Sequence, residues 1–226
     1  MEELAQVMSH VEPHPILHLG PIPISNTVVN TWIMMLVLIF IAFITSRGLK
    51  LVPRGWQHLP EIAVEFVLAQ MEPALGKKAA RKYLPLVATL FIFILFLNLS
   101  WFIPGMKPAT MDLSTTLGFA VATIFIVQLI GLREQGVVGY IKHFFSPNAG
   151  MAPLNIIEEV VKPISLSLRL FGNIFGGKMV VTIITMMIPL LVPGIIYMLE
   201  TLVGFIQAFV FALLTITYIG AMVHGH

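Results

Sequence analysis

The 226 residues contain no cysteine, which excludes a disulfide framework and any thiolate metal centre. Charge is nearly as scarce. Asp, Glu, Lys and Arg together supply 11% of the chain, where soluble domains carry about 25%. The net charge is only +2, and the basic residues fall between apolar runs, so nucleic acid is not an expected partner. Helix breakers are missing from long stretches. Only Pro163 interrupts residues 153–187 early on, and none interrupts 194–223. The N-terminus reads Met-Glu-Glu with no basic leader, so no cleavable signal or targeting peptide is expected.

What is present is apolar. Hydrophobic residues make up 58%, in several runs long enough to cross ~30 Å of hydrocarbon. The expected fold is an all-α integral membrane protein of one domain, residues 1–226, with about five membrane helices and one amphipathic interfacial helix. Residues 1–26 form a polar outer segment. His10, His14 and His18 recur four apart there, but Pro13 and Pro15 break a helical metal site, and solvated histidines are the better reading. Three spans occupy 27–132: Thr27–Ser46, Tyr83–Ile103 and Ser114–Leu132. Between the first two, residues 56–76 are too polar to cross. Glu61, Glu65 and Glu72 gather on one face and Ile62, Phe66 and Val67 are displaced from it, which suits a helix at the interface.

Basic residues are dense after the first span (Arg47, Lys50, Arg54, then Lys77, Lys78, Arg81 and Lys82). They are sparse after the second (Lys107) and return as Arg133 and Lys142 in a loop reaching Gly150. The positive-inside rule then places the N-terminus outside and the C-terminus in the cytoplasm. For a bacterial chain that means a multi-pass inner-membrane protein with a periplasmic N-terminus.

Residues 153–223 read as a helical hairpin turned at Pro189 and Pro193-Gly194. Its arms, about 35 and 30 residues long, would measure ~52 and ~45 Å, so they must tilt steeply in the bilayer. Arg169 lies in the first arm inside an apolar run. It cannot shed its proton, and at mid-membrane it costs from about 3 to more than 10 kcal/mol. Ser165, Arg169, Asn173 and Gly176 share one face, and Gly172 with Gly176 lets another helix come close. No acid shares that face within two turns. Folding the hairpin brings Gln207 to the depth of Asn173, and Glu200 to that of Lys178. The latter two read as an ion pair, static or conducting. An arginine without its own carboxylate points to a carboxylate on another protein. A snorkelling arginine near a helix end would need polar residues closer by.

Glu158 and Glu159 open the first arm on the cytoplasmic side, and Asp112 opens the third span on the outer side. They are candidates for lining two water-filled vestibules, although helix-terminal solvation accounts for Asp112 equally well. Gly172-x-x-x-x-Gly177-Lys178 imitates a phosphate loop, but Met179 stands where Mg²⁺ binding needs Ser or Thr, and no nucleotide site is expected.

These residues also carry a resemblance. Pro163-Ile-Ser-Leu-Ser-Leu-Arg169-Leu-Phe-Gly172-Asn173 resembles the signature of subunit a of F-type ATP synthases, as does Gln207-Ala208-Phe209-Val210-Phe211 with Leu213-Leu214-Thr215. Pro85 to Thr89, Asn98-Leu99 and Ile103-Pro104-Gly105 resemble the family's second span, and Pro108 to Asp112 with Thr116 the approach to the next. The resemblance covers most of the chain from about residue 77.

It implies an ion-path subunit that is not itself an enzyme and needs no cofactor. Its partners would be a ring of c subunits, the b-subunit stator stalk, the remaining synthase subunits and the lipid bilayer. Arg169 would face the ring carboxylate, with Ser165, Asn173 and Gln207 beside it. Glu158 or Glu159 would serve the cytoplasmic half-channel, and Asn98 and Asp112 are candidates for a vestibule. Lys178 departs from the family, standing where many members have an acid, and Glu200 stands where those members have histidine. Acid and base look exchanged between helices, which makes Glu200 the better candidate for the outer path. A self-contained proton-coupled transporter built on Lys178 and Glu200 is the rival reading. It lacks the internal repeat such folds usually show. A plain membrane anchor would have no use for Arg169, Asn173, Glu200 and Gln207.

Overall fold

The computed structural model describes residues 15–19, 22–47, 58–103, 106, 108–145, 150, 152–187 and 192–224. Two short strands, β1 (Pro15–Leu19) and β2 (Ile22–Ser25), pair antiparallel and lead into the helices. His18 pairs in this ladder opposite Pro23, whereas His10 and His14 lie outside the described residues. Five helices follow: α1 (Asn26–Ser46), α2 (His58–Asn98), α3 (Leu113–Phe144), α4 (Ala152–Met187) and α5 (Val192–His224). Each contains a stretch long and apolar enough to cross a membrane. The molecule is an all-α membrane protein.

The middle of the chain is more helical than the charge pattern predicts. α2 is two helices joined at Gly76, whose φ of 75° and ψ of 157° suit glycine almost alone. Residues 58–75 fold back along the span, and Phe66 meets Phe91 at 5.9 Å, Phe209 at 5.2 Å and Phe205 at 6.3 Å between ring centroids. The interfacial helix therefore spends much of its apolar face on protein. Its acids are not uniformly solvated: Glu65 is exposed, but one oxygen of Glu61 is buried in a pocket between α1 and α2.

α3 likewise runs through the segment read as loop, up to Phe144, with one break at Gly136 (φ 70°, ψ 169°). That reading took Arg133 and Lys142 as loop markers, whereas they lie within helix on either side of the break. Glu134 receives Lys82 and the Tyr83 hydroxyl, the latter at 2.5 Å, tying α3 to α2. Gln135 Nε2 donates to the Met222 carbonyl at 2.7 Å and ties the same turn to α5.

The core lies between α2, α3 and the arms α4 and α5, around Phe91, Ile94, Leu166, Leu170, Phe211 and Ile219. In lipid such packing depends on close approach rather than on hydrophobic transfer. Gly131 permits one such approach, since a Cβ there would stand 2.8 Å from Met222 Sδ. α1 is different: only Thr27, Asn30 and Met34 are buried in it, and Leu36 and Phe40 are 63% and 64% exposed.

The hairpin arms are 36 and 33 residues long, which at 1.5 Å per residue makes them about 54 and 50 Å. Neither can stand upright in ~30 Å of hydrocarbon. Pro163 lies inside α4 without ending it. The turn at 188–191 and the Pro104-Gly105 end of the second span lie outside the described residues.

Candidate functional site

α4 turns two faces in opposite directions. Leu166, Leu170, Ile174 and Val181, at helical spacing, are 2% exposed or less and pack inward. Ser165, Leu168, Arg169, Gly172 and Asn173 are exposed on the other face. A Cβ built at Gly172 or at Gly176 meets no atom within 4 Å, so a smooth groove runs beside the arginine. The ion pairs among the described residues join Lys82 to Glu134, and Lys162 to Glu158 and Glu159. Arg169 is in none of them.

Asn173 reaches from this face to the inside. Its Nδ2 donates to Oε1 of Gln207 on α5, which is 2% exposed, so these two residues are brought together as the sequence predicts. Further along, Glu200 is 7% exposed, with both carboxylate oxygens buried and without a protein hydrogen bond. It lies against α4 at Gly177, where a Cβ would stand 3.8 Å from Glu200 Cγ, so the matching depth is observed. The direct ion pair is not: Lys178 Nζ lies over the Tyr197 ring, 5.3 Å from its centroid. Asn98, 2% exposed, donates to the Gly204 carbonyl at 2.9 Å and fastens α2 to α5 between Glu200 and Gln207.

The exposed Arg169 face is thus backed by buried Gln207, Asn98 and Glu200. A family model described as ATP synthase A chain matches residues 28–220. An ATP synthase subunit a of Moorella thermoacetica is 62% identical over 219 residues, covering 97% of this chain and 100% of the relative. Subunits a of Bradyrhizobium sp. and Syntrophotalea carbinolica are 38% and 41% identical, covering 92% and 88% of this chain and 93% and 86% of the relatives. The chain belongs to the ATP synthase A chain family. This is the family of the proton-translocating subunit in the membrane sector of F-type ATP synthases.

The two acids near the start of α4 differ in their surroundings. Glu158 has a 66% exposed side chain and stands 3.5 Å from Lys162. Glu159 is 14% exposed and points inward, accepting from both Lys162 Nζ and Gln128 Nε2. Gln128 accepts in turn from the Tyr140 hydroxyl at 2.7 Å. Gln128, Tyr140 and Glu159 line a pocket of about 580 Å³ between α3 and α4, together with Ile141 and Phe145. Lys162 Nζ also lies 5.3 Å from the Tyr218 ring centroid of α5. Gln128, Tyr140, Lys162 and Tyr218 were not candidates from sequence. Gln128 was the signal at hand, as a lone amide in the third span.

Asp112 has a structural duty. Its Oδ1 accepts from the Ser114 amide at 3.0 Å and from its hydroxyl at 2.8 Å, capping α3, and its Oδ2 accepts from Thr27 at 2.8 Å. Both oxygens are engaged in holding the start of α3 against the start of α1.

Proposed function

We propose that this chain is the non-catalytic ion-path subunit of a rotary ATP synthase, with the open face of α4 set against a ring of c subunits. The observation that carries this reading is Arg169, a permanent cation on an exposed helical face, beside glycines that leave room for another helix. A protonated ring carboxylate is neutral and tolerates lipid. Arriving opposite Arg169, it finds its ionised form favoured and gives up its proton. The guanidinium carries no proton itself, so it separates two offset half-channels and forces ions to travel on the ring. Each elementary charge crossing 100 mV supplies about 2.3 kcal/mol for rotation.

The outer half-channel runs past Glu200, with Lys178 and Asn98 nearby, to Gln207 and Asn173, and Ser165 lies one turn beyond Arg169 on the same face. The cytoplasmic half-channel runs past Glu159, with Glu158 at its mouth. Asp112 contributes to the outer side through the position of α3. The b-subunit stalk has the wide exposed surface of α1 open to it. ATP chemistry belongs to other subunits of the complex. We read the N-terminus as periplasmic and the C-terminus as cytoplasmic in a bacterial inner membrane, from the clustering of basic residues at 47–82 and 133–142. A self-contained transporter built on a Lys178–Glu200 pair is less well supported, because those two side chains are not in contact.

The test is Arg169→Ala in the assembled complex. ATP synthesis driven by a proton gradient is expected to disappear while the subunit remains inserted and assembled. Wild-type coupled synthesis by this variant would falsify the reading.

A further inference from the structure

Lys178 and Glu200 face each other across α4 and α5, yet the ammonium lies elsewhere. Gly177, the residue before Lys178, packs at 3.8 Å from Glu200 Cγ, measured from the Cβ position. A lysine stem of four carbons with free rotation reaches both the carboxylate and its surroundings from there. Nζ lies instead 5.3 Å from the centroid of Tyr197, which precedes Glu200 by one turn on the same face of α5. The Tyr197 ring is held by aromatic stacking. It stacks on Trp101 at 4.9 Å and 17°, and Trp101 stacks on Phe102 at 3.9 Å. Trp101 Nε1 and both oxygens of Glu200 are buried. Lys178 and Glu200 take part in none of the ion pairs among the described residues.

We propose that Tyr197 is a positioning residue of the proton path: its ring, backed by Trp101, holds the Lys178 ammonium off the Glu200 carboxylate and leaves that carboxyl free to take up and release a proton. This rests on the reading of Glu200 as part of the outer half-channel. The physical reason is a contrast between two stations for one cation. On the carboxylate, in a site with little water, the ammonium stabilises the ionised acid and opposes its protonation. On an aromatic face the same cation is held by the ring quadrupole, and no proton-binding group is consumed. Trp101 and Phe102 make the second station rigid, since a stacked ring does not swing away. A cation thereby stays close to the path, where it affects the field, without closing the acid.

The test uses the assembled complex in membrane vesicles, with passive proton conduction measured after the ATP-hydrolysing sector is stripped off. Tyr197→Leu removes the aromatic face and should lower conduction by roughly a hundredfold, on the scale of a misplaced proton-transfer group. Tyr197→Phe keeps the ring and should recover what the leucine lost. The decisive variant is Tyr197→Leu combined with Lys178→Gln. With no ammonium to fall onto Glu200, the double variant should conduct better than Tyr197→Leu alone, which a packing defect would not allow. If the leucine variant fails to assemble, fluorinated tyrosine at 197 weakens the aromatic face at constant shape, and graded loss of conduction is expected. Wild-type conduction by Tyr197→Leu, a double variant no better than the single, or insensitivity to fluorination would each overturn the proposal. Arg169→Ala run in parallel separates the two readings. Retained coupling there removes the rotary account, whereas loss there with an unaffected Tyr197→Leu removes only this one.

Discussion

Replacing Gly136 with alanine separates backbone strain from packing beside the Glu159 cluster. A Cβ at this position meets nothing within 4 Å, so the steric contribution is nil. What remains is the backbone: φ 70° with ψ 169° lies in a region that is essentially glycine-only, at about 1–3 kcal/mol for another residue. Gly118→Ala is the matched control. It also meets nothing within 4 Å, but it sits in regular helix, where alanine gains about 0.5–1 kcal/mol. The two single-methyl changes in one helix should therefore differ by about 1.5–4 kcal/mol, with opposite signs.

The consequence for the site follows from what the break directs. Residues 137–144 turn at Gly136 so that the Tyr140 hydroxyl comes back to Gln128, which holds Glu159. Relaxing the break toward helix carries Tyr140 away from that chain. Thermal unfolding of the complex in mild detergent, read together with proton conduction in vesicles, checks both parts. Gly136→Ala should unfold earlier and conduct less, and Gly118→Ala should do neither. A Gly136→Ala variant as stable as Gly118→Ala would refute the assignment of the strain.

Three further outcomes are expected. At Gly172 an added Cβ meets nothing within 4 Å on this exposed face and Gly172→Leu gains helix propensity of about 1 kcal/mol, so the subunit should stay as stable as wild type while ATP synthesis is lost, because a neighbouring helix can no longer approach Arg169. Glu159→Gln should lower proton conduction more than Glu158→Gln, since only Glu159 is held inward by Gln128 and Lys162; equal effects would show that the pocket is not on the path. Asn98→Leu leaves the Gly204 carbonyl without its donor in a buried contact and should cost about 1–3 kcal/mol in thermal unfolding, with Asn98→Asp less damaging than Leu if polarity at that depth is what conduction needs.

Much of this architecture is legible in the chain because bilayer thickness turns apolar run length into a count of spans. Arg169, Asn173 and Gln207 are legible for a related reason: a polar group inside an apolar run costs energy and stands out against its neighbours. The hairpin arithmetic that placed Gln207 beside Asn173 succeeds because both arms are regular helix over their whole length. It fails by one residue's worth of contact at Lys178. Depth alone pairs it with Glu200, and the aromatic alternative at Tyr197 depends on Trp101, which reaches the site from another helix.

The segments around Gly76 and Gly136 were harder to read. Arg133 and Lys142 mark a loop by charge, but Gly136 is the only residue that interrupts the helix, and a single glycine says nothing about the direction the chain takes afterwards. Glu61 fails as a solvated acid for a similar reason, since folding at Gly76 carries it back against the span. Tyr140 and Tyr218 carry no signal of their own. Each joins the Glu159 cluster only because three helices converge there.

The central claim is that the exposed Arg169 face meets the ring, and disulfide cross-linking in native membranes tests it most directly. The chain has no cysteine, so single cysteines at Ser165, Leu168 or Gly172 on α4, and at positions flanking Gln207 on α5, are introduced into a silent background. Each is paired with cysteines on either side of the ring carboxylate of a c subunit. The account predicts cross-links from the α4 positions to the ring and markedly fewer from inward Leu166 or Leu170, which are buried within the subunit. Ring cross-links from the inward positions, or none from the arginine face in assembled complexes, would contradict it.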